Sequence, residues 1–167
     1  AGDVADGVLG FPMWSLDWVK EVVIPNISKG LNRSGRARKD IEIRASVTVA
    51  ITNDKKQGYR DSRGTPGFYT TVRTYQPLVN WHGYAKEATQ IREAFTKLKG
   101  FGPEVLEPIH DDMVDTFVVV GTNTEVRKRI ADFAEICDAI DLVAPHNFIS
   151  KEQHDEYEKA IFETFSQ

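Results

Sequence analysis

Few groupings in this 167-residue sequence have residue types suited to chemistry. His146 follows the apolar run Asp141-Leu142-Val143-Ala144-Pro145, and an imidazole there can serve as acid, base or hydrogen-bond donor. The competing reading, favoured on residue type, is a structural histidine bonded to a loop carbonyl. Gly10 ends the short apolar stretch Gly7-Val8-Leu9, and without a side chain it lets a planar ring or a phosphate approach the backbone. Phe11 or Trp14 then forms an apolar wall; the alternative is a tight turn with core aromatics. His110, Asp111 and Asp112 are metal-ligand types, but adjacent residues do not converge on one ion from a single helix face, so a solvated turn is expected and no metal. Arg127, Lys128 and Arg129 read as a solvated helix face rather than an anion site. His82 is expected to pack beside Trp81. Cys137 is expected to be an inert, small apolar residue. The sequence has no nucleophile elbow, P-loop or zinc spacing, and AGDVADG lacks the GxGxxG spacing of a dinucleotide fingerprint.

A formal charge of −4 and a pI near 5.6 give no field to draw in a nucleic-acid backbone or an anionic membrane, so neither is an expected partner. A small-molecule substrate fits better. The single cysteine allows no internal disulfide and fits a reducing cytoplasm. No apolar run reaches the ~20 residues that a bilayer span needs.

The elements that must position these residues follow from periodicity. Ala1 to Asp6 reads as a helix end and Gly7 to Gly10 as a short strand closed by Pro12. Ser15 is a plausible N-cap with Asp17 in the first turn. Val19, Val22, Val23, Ile27 and Leu31 then recur at helical spacing, with Gly35 as the stop and a kink expected at Pro25. Asp40 to Thr52 alternates with period two, placing Ile41, Ile43, Ala45, Val47, Val49 and Ile51 on one face. The other face turns from charged Glu42 and Arg44 to small, neutral Ser46, Thr48 and Ala50, as a packed or ligand-filled interior requires.

Asn53 to Gly67 reads as a loop or a poorly held helix. Phe68 to Lys99 is mostly helical, and residues 53 to 115 together form a helical excursion. Phe117 to Gly121 is taken as a connector despite its β-branched composition. Thr122 and Glu125 have capping-box spacing, and Val126, Ile130, Phe133 and Cys137 form the buried stripe that follows. Asp141 to Pro145 is a short strand. Ser150 with Gln153 opens a last helix whose face Tyr157, Ile161 and Phe165 must dock. Strands separated by helices imply a parallel sheet.

Four stretches, AGDVADGVLG, VVIPNISKGLNRSGR, FYTTVRTYQPLVNWHGY and DDMVDTFVVVGTNTEVRKRIADFAE, taken in this order and spacing, resemble the bacterial-luciferase-like monooxygenase superfamily. The resemblance is strongest to the branch that uses a deazaflavin, coenzyme F420, and includes methylenetetrahydromethanopterin reductase. It implies an α/β fold: the C-terminal portion, about three strands with helices, of a (βα)8 TIM barrel, with residues 1 to 167 as one segment. A chain that opens inside a helix without an initiator Met is accordingly expected to be the later part of a larger enzyme.

Active sites of such barrels lie at the carboxyl ends of the strands. The resemblance therefore implies a cofactor near Gly10, Phe11 and Ala50, with His146 as the one candidate for a catalytic role. It implies an oxidoreductase using coenzyme F420, with FMN in a monooxygenase as the alternative. A different reading is a non-catalytic, truncated interaction fragment. Three strands cannot close a barrel, so a homo-oligomer or association with a missing N-terminal half is expected.

Overall fold

The computed structural model describes residues 1–166. Its centre is the strand β2 (Glu42–Ile51), to which every other strand pairs in parallel. β1 (Gly7–Leu9) pairs with its start and β3 (Val118–Gly121) with its end. Both lie on one edge: the Gly10 amide donates to the Arg44 carbonyl at 2.8 Å, and the Thr52 amide to the Gly121 carbonyl at 2.9 Å. β4 (Ala139–Val143) takes the opposite edge, where the Asp138 amide donates to the Ile43 carbonyl.

Helices follow each strand. α1 (Leu16–Trp18) runs through a π-helical turn at Val19–Val23 into α2 (Ile24–Ser34). Ser15 caps this helix by accepting from the Trp18 amide, and Gly35 ends it at φ 70°, where a residue without Cβ is unstrained. At Pro25, where a kink is expected, the ladder widens into the π-helical turn Val19–Val23 directly before it, which makes room for the ring against the preceding carbonyl. The outward face of β2, with Ile43, Ala45, Val47 and Val49, packs on Val19, Ile27 and Leu31 and on Val126, Ile130 and Phe133 of α9 (Asn123–Ala134). The Thr122–Glu125 capping box that opens α9 is formed as its spacing predicts.

Three expectations are corrected. Asn53 to Gly67 is neither loop nor loosely held: it forms α3 (Lys55–Ser62), capped by Asp54, and α4 (Gly64–Thr70). Its glycines signal close packing instead of a turn. A Cβ on Gly58 would lie 2.7 Å from Val120, and one on Gly64 would lie 2.0 Å from the Asn147 carbonyl oxygen. Phe117 to Gly121 is not a connector, because Val118–Gly121 is strand β3, its β-branched run buried against Thr48–Ile51. The sheet thus has four strands rather than three, and β4 begins at Ala139 because the Asp138 carboxylate accepts from the Ile43 amide.

The excursion continues through a 3-10 turn at Arg73–Tyr75, α5 (Gln76–Trp81), α6 (Ala85–Leu98), α7 (Pro103–Leu106) and α8 (Asp111–Phe117). These helices enclose a second core with Met13, Ala50, Val79, Ile91, Met113 and Val120. α10 (Lys151–Phe165), opened by the Ser150–Gln153 capping box, closes the described chain. No helix among the described residues is long and apolar enough to cross a membrane.

Two measurements check this packing. Gly64→Ala forces a Cβ against backbone at Asn147 and is expected to cost about 1–3 kcal/mol in urea unfolding. Glu125 accepts from Lys55 and from Thr122, which hold its carboxyl down at about 2, below the usual 4.5. A depressed folded value stabilises above the unfolded one, so this contribution is present above pH about 4.5 and is lost as pH falls toward about 2. Glu125→Gln should flatten that limb of the stability–pH curve.

Candidate functional site

The carboxyl ends of the strands converge at the loops Gly10–Trp14, Thr52–Asp54 and Ala144–Phe148. Thr48 in β2 donates its hydroxyl to the Pro12 carbonyl at 2.8 Å, and Met13 bridges to Val47, so the first loop is held over the end of the sheet. That fixes Phe11. Its ring meets Tyr75 at 4.4 Å and Tyr69 at 5.3 Å between centroids, and Tyr69 meets Tyr75 edge-on. From Tyr69 the contacts run on through Phe68 and Phe101 to Phe148 in the loop after β4. A ribbon of partly exposed aromatic rings thus joins the loop after β1 to the loop after β4. Burial, with Tyr75 alongside, pushes the Tyr69 phenol above its ordinary range, so it stays a neutral hydrogen-bond donor. Phe148 sits at φ 65°, a conformation that costs a bulky residue energy and that clusters at functional loops.

The four residues singled out by sequence take different places. Phe11 lies in this aromatic group. Gly10 is buried beneath Trp14: a Cβ there would lie 2.4 Å from the indole Cε3. Its missing side chain seats the indole, so the space beside its Cα is filled by Trp14. Ala50 is fully buried among Met13, Val120 and the excursion helices, with no surface for a cofactor in this chain. His146 is exposed at the mouth, with Nδ1 3.3 Å from the Ala144 carbonyl and Nε2 3.2 Å from the Asn147 amide nitrogen. One ring nitrogen thus lies within hydrogen-bond reach of a loop carbonyl, and the ring stands beside the ribbon's end.

Other groups are paired in ways spacing did not reveal. Asp61, 6% exposed, accepts from the Tyr157 hydroxyl at 3.0 Å and the Gln153 amide at 3.3 Å, tying α3 to α10. Burial and the Asp61 charge raise the Tyr157 phenol far above its ordinary range. Arg127 donates to the Thr164 carbonyl and lies 5.3 Å from the Phe165 ring centroid, and Arg129 donates to Asp115, so two of the three cations in that run are engaged rather than simply solvated. His110 is exposed, 3.6 Å from Glu87. His154, Asp155 and Glu158 bring three ligand-type atoms within 4.8 Å of one another on a mostly exposed helix face, where Lys151 pairs with Asp155. His82, expected only to pack on Trp81, does so edge-on and also bonds Ser15 across the fold.

Comparison with known proteins gives these features a context. Residues 1–139 match the model of the luciferase-like monooxygenase family. An uncharacterised Mycobacterium tuberculosis protein is 33% identical over 123 residues, 72% of this chain and 36% of its own length. The 5,10-methylenetetrahydromethanopterin reductase of Archaeoglobus fulgidus is 26% identical over 138 residues, 81% of this chain and 41% of its own. The coenzyme F420-dependent tetrahydromethanopterin reductase of Methanopyrus kandleri superposes with a TM-score of 0.71 at 21% identity, covering 98% of this chain and 46% of that one. An F420-dependent secondary alcohol dehydrogenase, solved with an F420-acetone adduct, gives 0.61 at 15% identity, covering 96% and 43%. The fold is therefore a portion of a (βα)8 barrel, and the chain spans less than half the length of each of these relatives.

Gly10→Ala is expected to displace the Trp14 indole, altering the near-ultraviolet circular dichroism and lowering stability by about 1–3 kcal/mol.

Proposed function

Because the chain belongs to the luciferase-like monooxygenase family, we propose that it is part of an oxidoreductase that exchanges a hydride with a small-molecule substrate through coenzyme F420. The observation that carries this reading is the aromatic group Phe11, Tyr69 and Tyr75 at the carboxyl ends of the strands, where barrel enzymes place their chemistry. A flat, conjugated cofactor needs an apolar wall and a few neutral donors, and these residues offer both. When bound, the deazaflavin supplies the hydride chemistry. The chain's own residues do the rest: Phe11 and Tyr75 exclude water along one side, Tyr69 offers a protonated hydroxyl, and His146 stands at the mouth to hold or pass a proton at a ring nitrogen. The names of the similar enzymes from Methanopyrus kandleri and Archaeoglobus fulgidus support the reductase branch over an FMN monooxygenase.

The same reading includes a partner for the sheet's inward face. Leu9, 69% exposed, shares that face with Arg44, which bonds Glu42 and Asp141 in the open. In a closed barrel this face lines the interior, so the amino-terminal half of the barrel, or a second copy, is its proposed cover. The lone Cys137 and the net negative charge fit work in the cytoplasm.

A fluorescence titration with coenzyme F420, with FMN as competitor and with the remaining strands supplied, tests the proposal. Saturable F420 binding, weakened about tenfold or ~1.4 kcal/mol by Phe11→Ala, is the expected result. Preference for FMN, or affinity indifferent to Phe11, sinks it.

A further inference from the structure

A cavity of about 350 Å³ opens on the helix-covered side of the sheet, opposite the face that Leu9 and Arg44 share. Val47 and Val119 form its floor, and it brings together two residues that lie far apart in the sequence. Ser15 is 7% exposed, and its Oγ lies 2.8 Å from His82 Nε2. His82 is fixed from behind, its backbone amide donating to the Leu78 carbonyl and its ring packed edge-on against Trp81 and Phe117. Burial lowers its basicity below the ordinary histidine value, against the opposing pull of Asp17, so the ring is neutral at neutral pH. A hydroxyl within hydrogen-bond reach of a neutral imidazole is the arrangement that activates a serine nucleophile.

Two further features suit acyl chemistry. Ser15 is the N-cap of the continuous helix from Leu16 to Ser34, with its Oγ already accepting from the Trp18 amide at 3.0 Å. The amides of Leu16 and Asp17 in the first turn have no carbonyl one turn back to bond, and they point toward the same end of the helix. Charge selects the ligand: the lining carries Asp17, Asp115, Asp132 and Arg129, and Arg129 is spent on Asp115, leaving an excess of negative charge that disfavours entry of anionic substrates, while the oxyanion formed in the reaction is met locally by the first-turn amides.

We propose that Ser15 and His82 form a reactive centre separate from the oxidoreductase site, one that takes small neutral or cationic carboxylic esters. Ser15 Oγ bonds to the carbonyl carbon while its proton passes to His82 Nε2. The tetrahedral oxyanion faces the first-turn amides. Its collapse breaks the bond to the alkoxy oxygen, and His82 returns the proton to the departing alcohol. Water, deprotonated in turn by His82, then attacks the acyl-serine and releases the acid and free Ser15, so that ester and water become acid and alcohol.

The test is a fluorophosphonate probe on the 167-residue chain, read by intact mass and peptide mapping. Its phosphorus is attacked by the same oxygen, fluoride leaves and His82 takes the proton. One adduct, mapped to Ser15, is the expected result. His82→Gln, which keeps a hydrogen-bonding partner for Ser15, should slow labelling at least about tenfold with unchanged circular dichroism. No adduct, an adduct on another residue, or a rate indifferent to His82→Gln in the folded variant overturns the proposal. Mapping on the unsubstituted chain decides the matter even if that variant does not fold.

Discussion

The structure depends on the parallel pairing of one long strand, β2, along both of its edges. Ten residues give it room for three partners: β1 at its start, β3 at its end and β4 opposite. Parallel neighbours cannot be joined by hairpins, so each connection must return across a face through a helix. That requirement puts α1, α2 and α9 on the outer face and leaves the carboxyl ends of β1, β2 and β4 gathered at one rim. The faces of β2 differ because its side chains alternate. Ile43, Ala45, Val47 and Val49 meet helices, while Ser46, Thr48 and Ala50 are small enough to lie under the loop after β1 and the excursion.

The excursion is held to this rim by shape more than by charge. Gly58 and Gly64 let α3 and α4 approach Val120 and Asn147 closely, and the buried hydrogen bonds of Asp61 to Tyr157 and Gln153 join those helices to α10. A carboxylate so placed is tolerated because its oxygen is bonded, and removing both donors would leave that buried oxygen unsatisfied. The same close packing presents Tyr69 and Tyr75 to Phe11, so the aromatic wall is a consequence of how the excursion is seated.

Much of the fold was legible from local pattern. The period-two run of β2, the caps at Ser15, Thr122 and Ser150, and the stop at Gly35 are decided by contacts within a few residues, so spacing is sufficient to read them. That an aromatic, Phe11, directly follows the first strand was legible too, but its contacts with Tyr69 and Tyr75 were not. Asn53 to Gly67 was misread because glycine has two uses, turning a chain and letting helices touch, and only the neighbours tell them apart. At Gly10 the neighbour is Trp14, which takes the space a ligand was expected to use.

By itself the sequence determined the parallel α/β alternation, the positions of the caps and which face of each long element is apolar, because these follow from backbone hydrogen bonding and side-chain period. Only the tertiary structure decided that Val118–Gly121 is a strand, that Ala50 is closed off and that His146 is tied to a carbonyl. It alone also set His82 against Ser15, Phe11 against Tyr75 and Asp61 against Tyr157. Each of those outcomes is a contact between segments far apart in the chain, fixed by which surfaces exclude water together, and no local spacing encodes it.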